Sequence, residues 1–376
     1  MISFNYLNKC VACDSSSLSM SLSLGKQPLA NSFTKIPTVQ ERYPLELNRC
    51  SDCGHLQLSV NVDRSAIFSN YIYRSNTTKT LRDYFDWFAK EITDMHGVGR
   101  ILDVACNDGT QLDSFKRLGW TTYGVDPAEN LSQYNSHDHR VAFFDDDCLD
   151  LGRFDVIIAQ NVLAHTDNPR QILSTASKMS DNIYIQTSQA NMIKQNEFDT
   201  IYHEHISFFS PSSINSLAKT VGLKLNTVKQ TPIHGGSFVF HLTPGRRIDV
   251  PITWSESDVN EFSIKSKSII KMLKYAIDDS PYLIGYGAAA KAMTVLNATG
   301  NGPKYILDDA VDKQYTFTPG LGIPVLPTSL LKEEKNDIDL IPLAWNFADE
   351  IASRVRSSYD GEVKRVLKYF PRVVWS

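Results

Sequence analysis

Apolar positions change their period several times along the chain. Between residues 79 and 95, Leu81, Tyr84, Phe85, Phe88 and Ile92 recur at three- and four-residue intervals, the spacing of an amphipathic helix. From Arg100 to about Gly245, short apolar runs (Ile101 to Val104, Thr122 to Val125, Asp155 to Ala159 and Ile183 to Ile185) alternate with stretches of helical character. That rhythm predicts a parallel α/β sheet. A polar linker containing Pro251 runs from Arg246 to about Ser257; a helix follows, and then Tyr282-Leu283-Ile284-Gly285-Tyr286-Gly287-Ala288-Ala289-Ala290-Lys291, which reads as a second strand–turn–helix unit. Ahead of these, apolar stretches are short and broken by Gly25, Pro28, Asn31, Pro37 and Pro44, the pattern of a small loop-rich lobe. The expected division is 1–68, 69–245 and 246–376.

A chain of 376 residues fits two or three domains with one principal catalytic core. With 42% hydrophobic and 21% charged residues and no apolar run near the roughly twenty residues that a membrane span needs, the composition is that of an ordinary soluble protein. Neither a membrane nor a signal peptide is expected. A net charge of −4 lacks the broad positive field of a phosphate-backbone binder, so nucleic acid is not an expected partner. Six cysteines without an export signal suggest a reducing, cytoplasmic setting, where paired cysteines are metal ligands more often than disulfides.

Cys10-Val11-Ala12-Cys13 and Cys50-Ser51-Asp52-Cys53 are two such pairs, able to place four thiolates on one tetrahedral structural zinc ion, against the alternatives of free thiols or a redox pair. Their 36-residue separation exceeds common zinc-ribbon spacing. Ile101 to Gly109 reads as a strand ending in a tight loop that opens a helix, where ligands of open α/β sheets bind. Asp103 suits the ammonium of an amino-acid-like cofactor, Gly109 a close backbone approach, and the amides of Cys106, Asn107 and Asp108 its carboxylate. Asp126, some twenty residues on and followed by Pro127, suits both ribose hydroxyls. Asp145, Asp146 and Asp147, which follow Phe143-Phe144, are placed to flank the adenine together with Phe143 or Phe144, although an acidic run in a loop is more often simply solvated. Asn161, Val162 and His165 follow the next strand and share its edge; otherwise Asn161 caps a helix and His165 lies on the surface. Tyr202-His203-Glu204-His205 packs proton-handling groups into an aromatic stretch. In extended backbone Tyr202 and Glu204 face one side and His203 and His205 the other. A metal site at His203 and His205 ranks below a general base, because no third ligand follows at a recognisable spacing. His234-Gly235-Gly236-Ser237 reads as a glycine-hinged turn into a strand.

Together these motifs resemble the sugar C-methyltransferases, the C-3'-methyltransferase family of TDP-deoxysugar biosynthesis. The resemblance spans nearly the whole chain: the two cysteine pairs, Gly25 to Phe33, Tyr71 to Ser75, Asn107 to Thr110, Gly124 to Pro127, Asn161 to His165, Tyr202 to His205, His234 to Ser237, Gly285 to Lys291, Asp308-Asp309, Lys313-Gln314, Thr318 to Gly320 and Trp345-Asn346. It implies a Rossmann-like S-adenosylmethionine methyltransferase core, flanked by an N-terminal zinc-binding lobe and a C-terminal Rossmann-like α/β lobe. S-adenosyl-L-methionine and structural Zn2+ are the implied cofactors. The implied partner is a nucleotide-diphosphate sugar, TDP-linked in preference to GDP or CDP, and a monomer is favoured. The resemblance places the turn at Gly287 and Lys291 at the diphosphate; Lys313, Asn161, His165, Tyr202, His234 and Gly235 are the further residues expected to bind the substrate. One departure is Ala105-Cys106, where the family shows a glycine and a small residue; alanine is not expected to take a positive φ there.

Methylation at carbon needs a carbon nucleophile, which a sugar offers only when a neighbouring ketone lets a C–H proton leave. His205 is the expected base, with Tyr202, Glu204, His165 and one of Tyr71 or Tyr73 positioning the sugar or stabilising enolate charge. The competing readings are a nicotinamide-dependent sugar-nucleotide oxidoreductase or epimerase, disfavoured because no third glycine follows Gly287 at fingerprint spacing, and a non-catalytic nucleotide-sugar-binding protein.

Overall fold

The computed structural model describes residues 3–63, 75, 79–187, 191–233, 236–246 and 248–376. Tyr71, Tyr73, His234 and Gly235 lie outside them.

The N-terminal lobe is built from β1 (Phe4–Tyr6), β2 (Leu18–Gln27), β3 (Tyr43–Cys50), β4 (Leu56–Leu58) and β5 (Val60–Val62). β1 pairs with β5, and β2, β3 and β4 form an antiparallel sheet that takes a fourth strand, β11 (Ser207–Phe208), from far along the chain. Helix α1 (Lys79–His96) then buries Leu81, Tyr84, Phe85, Phe88, Ala89 and Ile92, the stripe seen in the sequence. Such side chains stabilise by about 1.5–3 kcal/mol each for the larger ones. They pack on Ile101, Phe115 and Tyr184 of the central layer.

That layer is a seven-stranded sheet. Its first strands are β6 (Arg100–Val104), β7 (Thr121–Asp126), β8 (Asp138–Val141), β9 (Val156–Gln160) and β10 (Ile183–Thr187). β12 (Leu223–Thr231) and β13 (Ser237–Pro244) complete it, in the order β12-β13-β10-β9-β6-β7-β8. β6 to β10 are parallel; β13 runs antiparallel to its neighbours. The chain steps from β6 outward to β7 and β8, then returns to β9. The sheet's switch point therefore lies between β6 and β9, with a crevice beyond their carboxyl ends. Helices α2 (Thr110–Arg117), α3 (Glu129–Ser132) and α4 (Pro169–Met179) connect these strands; α5 (Met192–Gln195) and α6 (Pro211–Lys219) follow β10.

After α7 (Glu256–Asp279), a second seven-stranded sheet comprises β14 (Leu283–Tyr286), β15 (Ile306–Asp308), β16 (Thr316–Phe317), β17 (Pro324–Pro327), β18 (Ile338–Pro342), β19 (Val363–Lys368) and β20 (Val374–Trp375), ordered β16-β17-β15-β14-β18-β19-β20. Its interior strands are parallel. Helices α8 (Ala290–Thr299) and α9 (Ala348–Ser358) pack on it. Its switch point lies between β14 and β18, beside Gly287 and Trp345.

One hydrophobic cluster unites Leu45, Leu47, Leu56 and Leu58 of the N-terminal lobe, Phe198 and Ile201 after α5, and Leu273, Met293 and Leu343 of the C-terminal lobe. Polar contacts run the same way: Gln27 Nε2 donates to Thr294 O (3.3 Å), and Thr294 Oγ1 donates to Ile201 O (3.3 Å). The flanking lobes thus meet over residues 198–208. Among the described residues, no helix is long and apolar enough to cross a membrane.

Candidate functional site

The four paired cysteines converge. Cys10 Sγ and Cys53 Sγ lie 3.6 Å apart, Cys13 Sγ and Cys50 Sγ also 3.6 Å, and all four sulfurs fall within 4.8 Å of one another. Zn–S bonds of about 2.3 Å in a tetrahedron require S···S spacings of about 3.8 Å, so the donor set and its geometry fit zinc. The long gap between the pairs is the β2–β3 excursion, which returns Cys50 to the start of the lobe.

The main cleft, of about 1180 Å3, opens at the carboxyl ends of β6, β7 and β9. Asp103, Cys106, Asn107, Asp126, Pro127, Phe143, Asn161, Val162 and His165 from one side line it, as do Tyr202, His205 and Lys291 from the other. Asp103 is buried on β6, and burial, reinforced by Asp126, pushes its carboxyl well above the usual carboxylate range. Asp126 closes β7: one carboxylate oxygen accepts the Asn107 amide (2.9 Å) and the other the Ala128 amide (2.8 Å), and burial again raises its pKa. Seven aspartates line this cleft (63, 103, 126, 145, 146, 147 and 167) against one lysine, Lys291, among the described residues. Such a field suits the positive charge of a sulfonium. Asn161 adds a buried Oδ1 with no partner among the described residues. An adenosyl sulfonium therefore fits the residues present.

The loop beneath this pocket departs from expectation. Ala105 takes φ 58° and Asn107 φ 52°, although alanine was not expected to adopt a positive φ. Each such residue costs on the order of 1–3 kcal/mol. The Ala105 amide donates to Val125 O (2.7 Å) and the Asn107 amide to Asp126, which hold the conformation. Gly124 makes room: a Cβ there would meet Cys106 Sγ at 2.5 Å. Two expected cofactor residues serve the loop instead. Asp108 Oδ1 accepts the Thr110 amide and hydroxyl at the start of α2, and Gly109, at φ 79°, backs onto Asn135. Neither lines the cleft. Phe143 does, while Asp146 pairs with Lys178 and Thr175, as a solvated acidic loop would.

Residues 202–205 form a turn, closed by the His205 amide on Tyr202 O (2.8 Å), not the extended segment expected. The two-residue alternation therefore does not apply. Tyr202 and His205 share a side, with the phenol oxygen 3.0 Å from His205 Nε2 and ring centroids 4.1 Å apart. His203 turns away and donates through Nε2 to Pro44 O (3.2 Å). It is no partner of His205 for a metal. Glu204 also turns away, accepting Asn31 Nδ2 on both oxygens (2.8 and 2.9 Å); burial, offset in part by Asn31 and the charge of Lys313, pushes its pKa up to about 7. It buttresses the turn from behind.

The two cleft histidines are held in one tautomer. His205 Nδ1 lies 2.8 Å from Thr200 O, and His165 Nδ1 2.7 Å from Glu204 O; a carbonyl only accepts, so both Nδ1 atoms carry the proton. Each imidazole then keeps a basic Nε2. The rings lie 4.9 Å apart, and burial depresses His165 to about 4, so that it stays neutral near pH 7. Asn161, at φ 56°, and the short 3₁₀ turn Leu163–His165 bring this edge over the strand ends.

In the C-terminal lobe, Lys291 occupies the first turn of α8, 5.8 Å from the Trp345 ring, whose indole N–H donates to buried Asp199 (2.7 Å). Burial raises both Glu197, to about 7, and Asp199, and in both the charge of Lys291 opposes the rise. The sequence reading did not single out these two acids or Asn31, and none of the three lines the main cleft. Asp199 sits at the head of the Tyr202–His205 motif and Asn31 inside a quoted one, whereas only tertiary burial marks Glu197. Gly287 takes φ 95° against Ala344, and Lys313 ties down the same turn by donating to Ala288 O (2.8 Å); neither lines the main cleft. Asp308, at the end of β15, accepts the Ala288 (2.6 Å) and Ala310 (2.8 Å) amides, the same pair of bonds that Asp126 makes at the end of β7.

Three family models match the chain in succession: a putative zinc binding domain over residues 10–68, a methyltransferase domain over 73–228 and a C-methyltransferase C-terminal domain over 257–369. The C-methyltransferase NovU of Streptomyces niveus is 25% identical in an alignment covering 92% of this chain and 91% of NovU. Among solved structures, magnesium protoporphyrin IX methyltransferase of Synechocystis PCC 6803 covers 44% of this chain and 79% of its own at 12% identity and a TM-score of 0.34. An S-adenosylmethionine-dependent methyltransferase of Clostridium acetobutylicum covers 44% of this chain and 92% of its own at 13% identity and a TM-score of 0.36.

Proposed function

We propose that this chain, a C-methyltransferase by its succession of domains, methylates a carbon of a nucleotide-diphosphate-linked keto-deoxysugar with S-adenosylmethionine as methyl donor. The observation that carries the reading is the placement of His205 Nε2 and the Tyr202 hydroxyl, 3.0 Å apart, on the wall of the same cleft that Asp103 and Asp126 line.

In this reading Asp126 accepts the ribose hydroxyls, Asp103 meets the ammonium, and Asn161 orients cofactor or sugar. Bound there, the cofactor supplies an electrophilic methyl on a positive sulfur. His205 Nε2 takes the C–H proton beside the ketone. The C–H electron pair becomes the enolate π bond, and the ketone oxygen takes the negative charge. The Tyr202 O–H, which donates to Nε2 when no sugar is present, is freed to donate to that oxygen. Neutral His165 adds a second imidazole at the same edge, and the Thr200 carbonyl holds His205 in the tautomer that a base requires. Asp103 and Asp126 would hold the cofactor beside the enolate carbon, to which it would supply the methyl, and the proton on His205 passes to water. Lys291 meets the diphosphate at the far end of the cleft, with Gly287 and Lys313 shaping the turn beside the C-terminal sheet's switch point. TDP is the favoured nucleotide by the family resemblance.

The test is hydrogen–deuterium exchange at the sugar carbon in D2O without methyl donor. His205→Gln abolishes exchange if His205 is the base; exchange at the wild-type rate in that variant removes it from the role. The nicotinamide alternative is disfavoured by the turn after β14, Gly285-Tyr286-Gly287-Ala288-Ala289-Ala290, which has no third glycine at the fingerprint spacing.

A further inference from the structure

The N-terminal lobe does more than sit beside the active site: its sheet runs into the loop that carries the proposed base. β4 pairs with β11 in the register Gln57–Ser207 and Leu56–Phe208. The Leu58 amide donates to Ile206 O (2.9 Å), and the Ile206 amide donates onward to Ala164 O (2.7 Å). Ile206 follows His205, and Ala164 precedes His165. A single hydrogen bond thus ties the backbones of the two cleft imidazoles together, and the zinc lobe holds its far side.

At the middle of β4, Gln57 is fully buried and spends both ends of its amide on the first cysteine knuckle. Its Oε1 accepts the Val11 amide (2.9 Å), between Cys10 and Cys13, and its Nε2 donates to Lys9 O (3.0 Å). The second knuckle joins through Cys50, whose amide donates to His55 O (2.8 Å), while His55 Nε2 lies 3.3 Å from Ser207 Oγ. Two short routes therefore lead from the four-cysteine centre to the residues just after His205.

We propose that the metal-bound knuckles position the catalytic imidazoles through Gln57 and the β4–β11 pairing, so that Gln57 is a positioning residue for His205. The catalytic step itself rests on the function proposed above; the mechanical coupling does not. A buried amide that clamps a metal knuckle resembles the outer-shell partners of metal ligands, whose loss costs about 10–100-fold in function. Misplacing a base by about 1 Å costs on the order of 100-fold in rate.

Amide exchange by mass spectrometry on the full zinc-loaded chain tests this, comparing wild type with Gln57→Leu, which keeps the volume and removes both bonds. Peptides covering 202–208 and 162–166 are read against β6 as internal reference, with zinc content measured in each sample. The expected result is exchange about tenfold faster at 202–208 with β6 unchanged, together with a loss of about tenfold or more in kcat for methyl transfer while KM for S-adenosylmethionine holds. Should Gln57→Leu fail to fold, chelating zinc from wild type and restoring it gives the same comparison, with the change at 202–208 reversing on readdition. Unchanged exchange at 202–208, or an equal rise in β6, overturns the proposal. Faster loop exchange in a chain that methylates no nucleotide sugar sinks the proposed function alone.

Discussion

Glu204 is the acid whose behaviour the structure constrains most. Its carboxyl is buried behind the 202–205 turn, and burial outweighs Asn31 and Lys313 to raise its pKa from 4.5 to about 7. A carboxyl with a raised folded-state pKa adds stability below its unfolded value of 4.5 and loses it as pH rises through 7. The difference of about 2.5 pH units corresponds to about 3 kcal/mol lost once the group is ionised. Glu204→Gln keeps an oxygen to accept from Asn31 and removes the charge. The variant is therefore expected to match wild type near about pH 5 and to exceed it by up to about 3 kcal/mol near about pH 8.5, a gain of several °C in thermal midpoint for a chain of this size. Calorimetry of both proteins across that range is the assay. Glu197, also raised to about 7, titrates alike in both and cancels. A variant less stable than wild type at the alkaline end refutes the reasoning, because the contacts of the carboxylate would then outweigh its burial.

Replacing Cys13 and Cys50 together by serine should abolish the one zinc per chain expected by metal analysis and lower the thermal midpoint; full zinc content in that variant would contradict the assigned ligands. Asp103→Asn should weaken S-adenosylmethionine binding by calorimetry about tenfold or more, since a hydrogen bond to a charged group contributes about 1.5–3 kcal/mol, and an unchanged Kd would remove Asp103 from the ammonium. Lys291→Met should raise KM for the nucleotide sugar about tenfold while leaving S-adenosylmethionine affinity intact; an equal loss for both ligands would place the lysine elsewhere.

Much of the scaffold was legible because it rests on local periodicity. The stripe from Leu81 to Ile92 is α1, and the runs beginning near Ile101, Thr122, Asp155 and Ile183 are β6, β7, β9 and β10 to within a residue or two at each end. The equal C-x-x-C spacing marked the four sulfurs before the fold did. What stayed hidden is nonlocal. Alternation places Tyr202 opposite His205, but the chain must join the 3₁₀ turn Phe198–Thr200 to a two-residue strand, and the turn this needs puts both on one side. No periodicity announces that β11 pairs with a strand some 150 residues earlier, because a two-residue strand has no pattern of its own. Ala105 takes its positive φ because Val125 O and Asp126 hold the loop, an override that propensity alone does not foresee.

The account stands or falls on where the methyl group goes. Incubation of the zinc-loaded chain with a TDP-linked keto-deoxysugar and S-adenosylmethionine labelled with 13C in its methyl group, followed by carbon–proton correlation spectroscopy of the product, reads this directly. The account predicts a labelled methyl coupled to a ring carbon adjacent to the ketone. A labelled methyl on oxygen contradicts it.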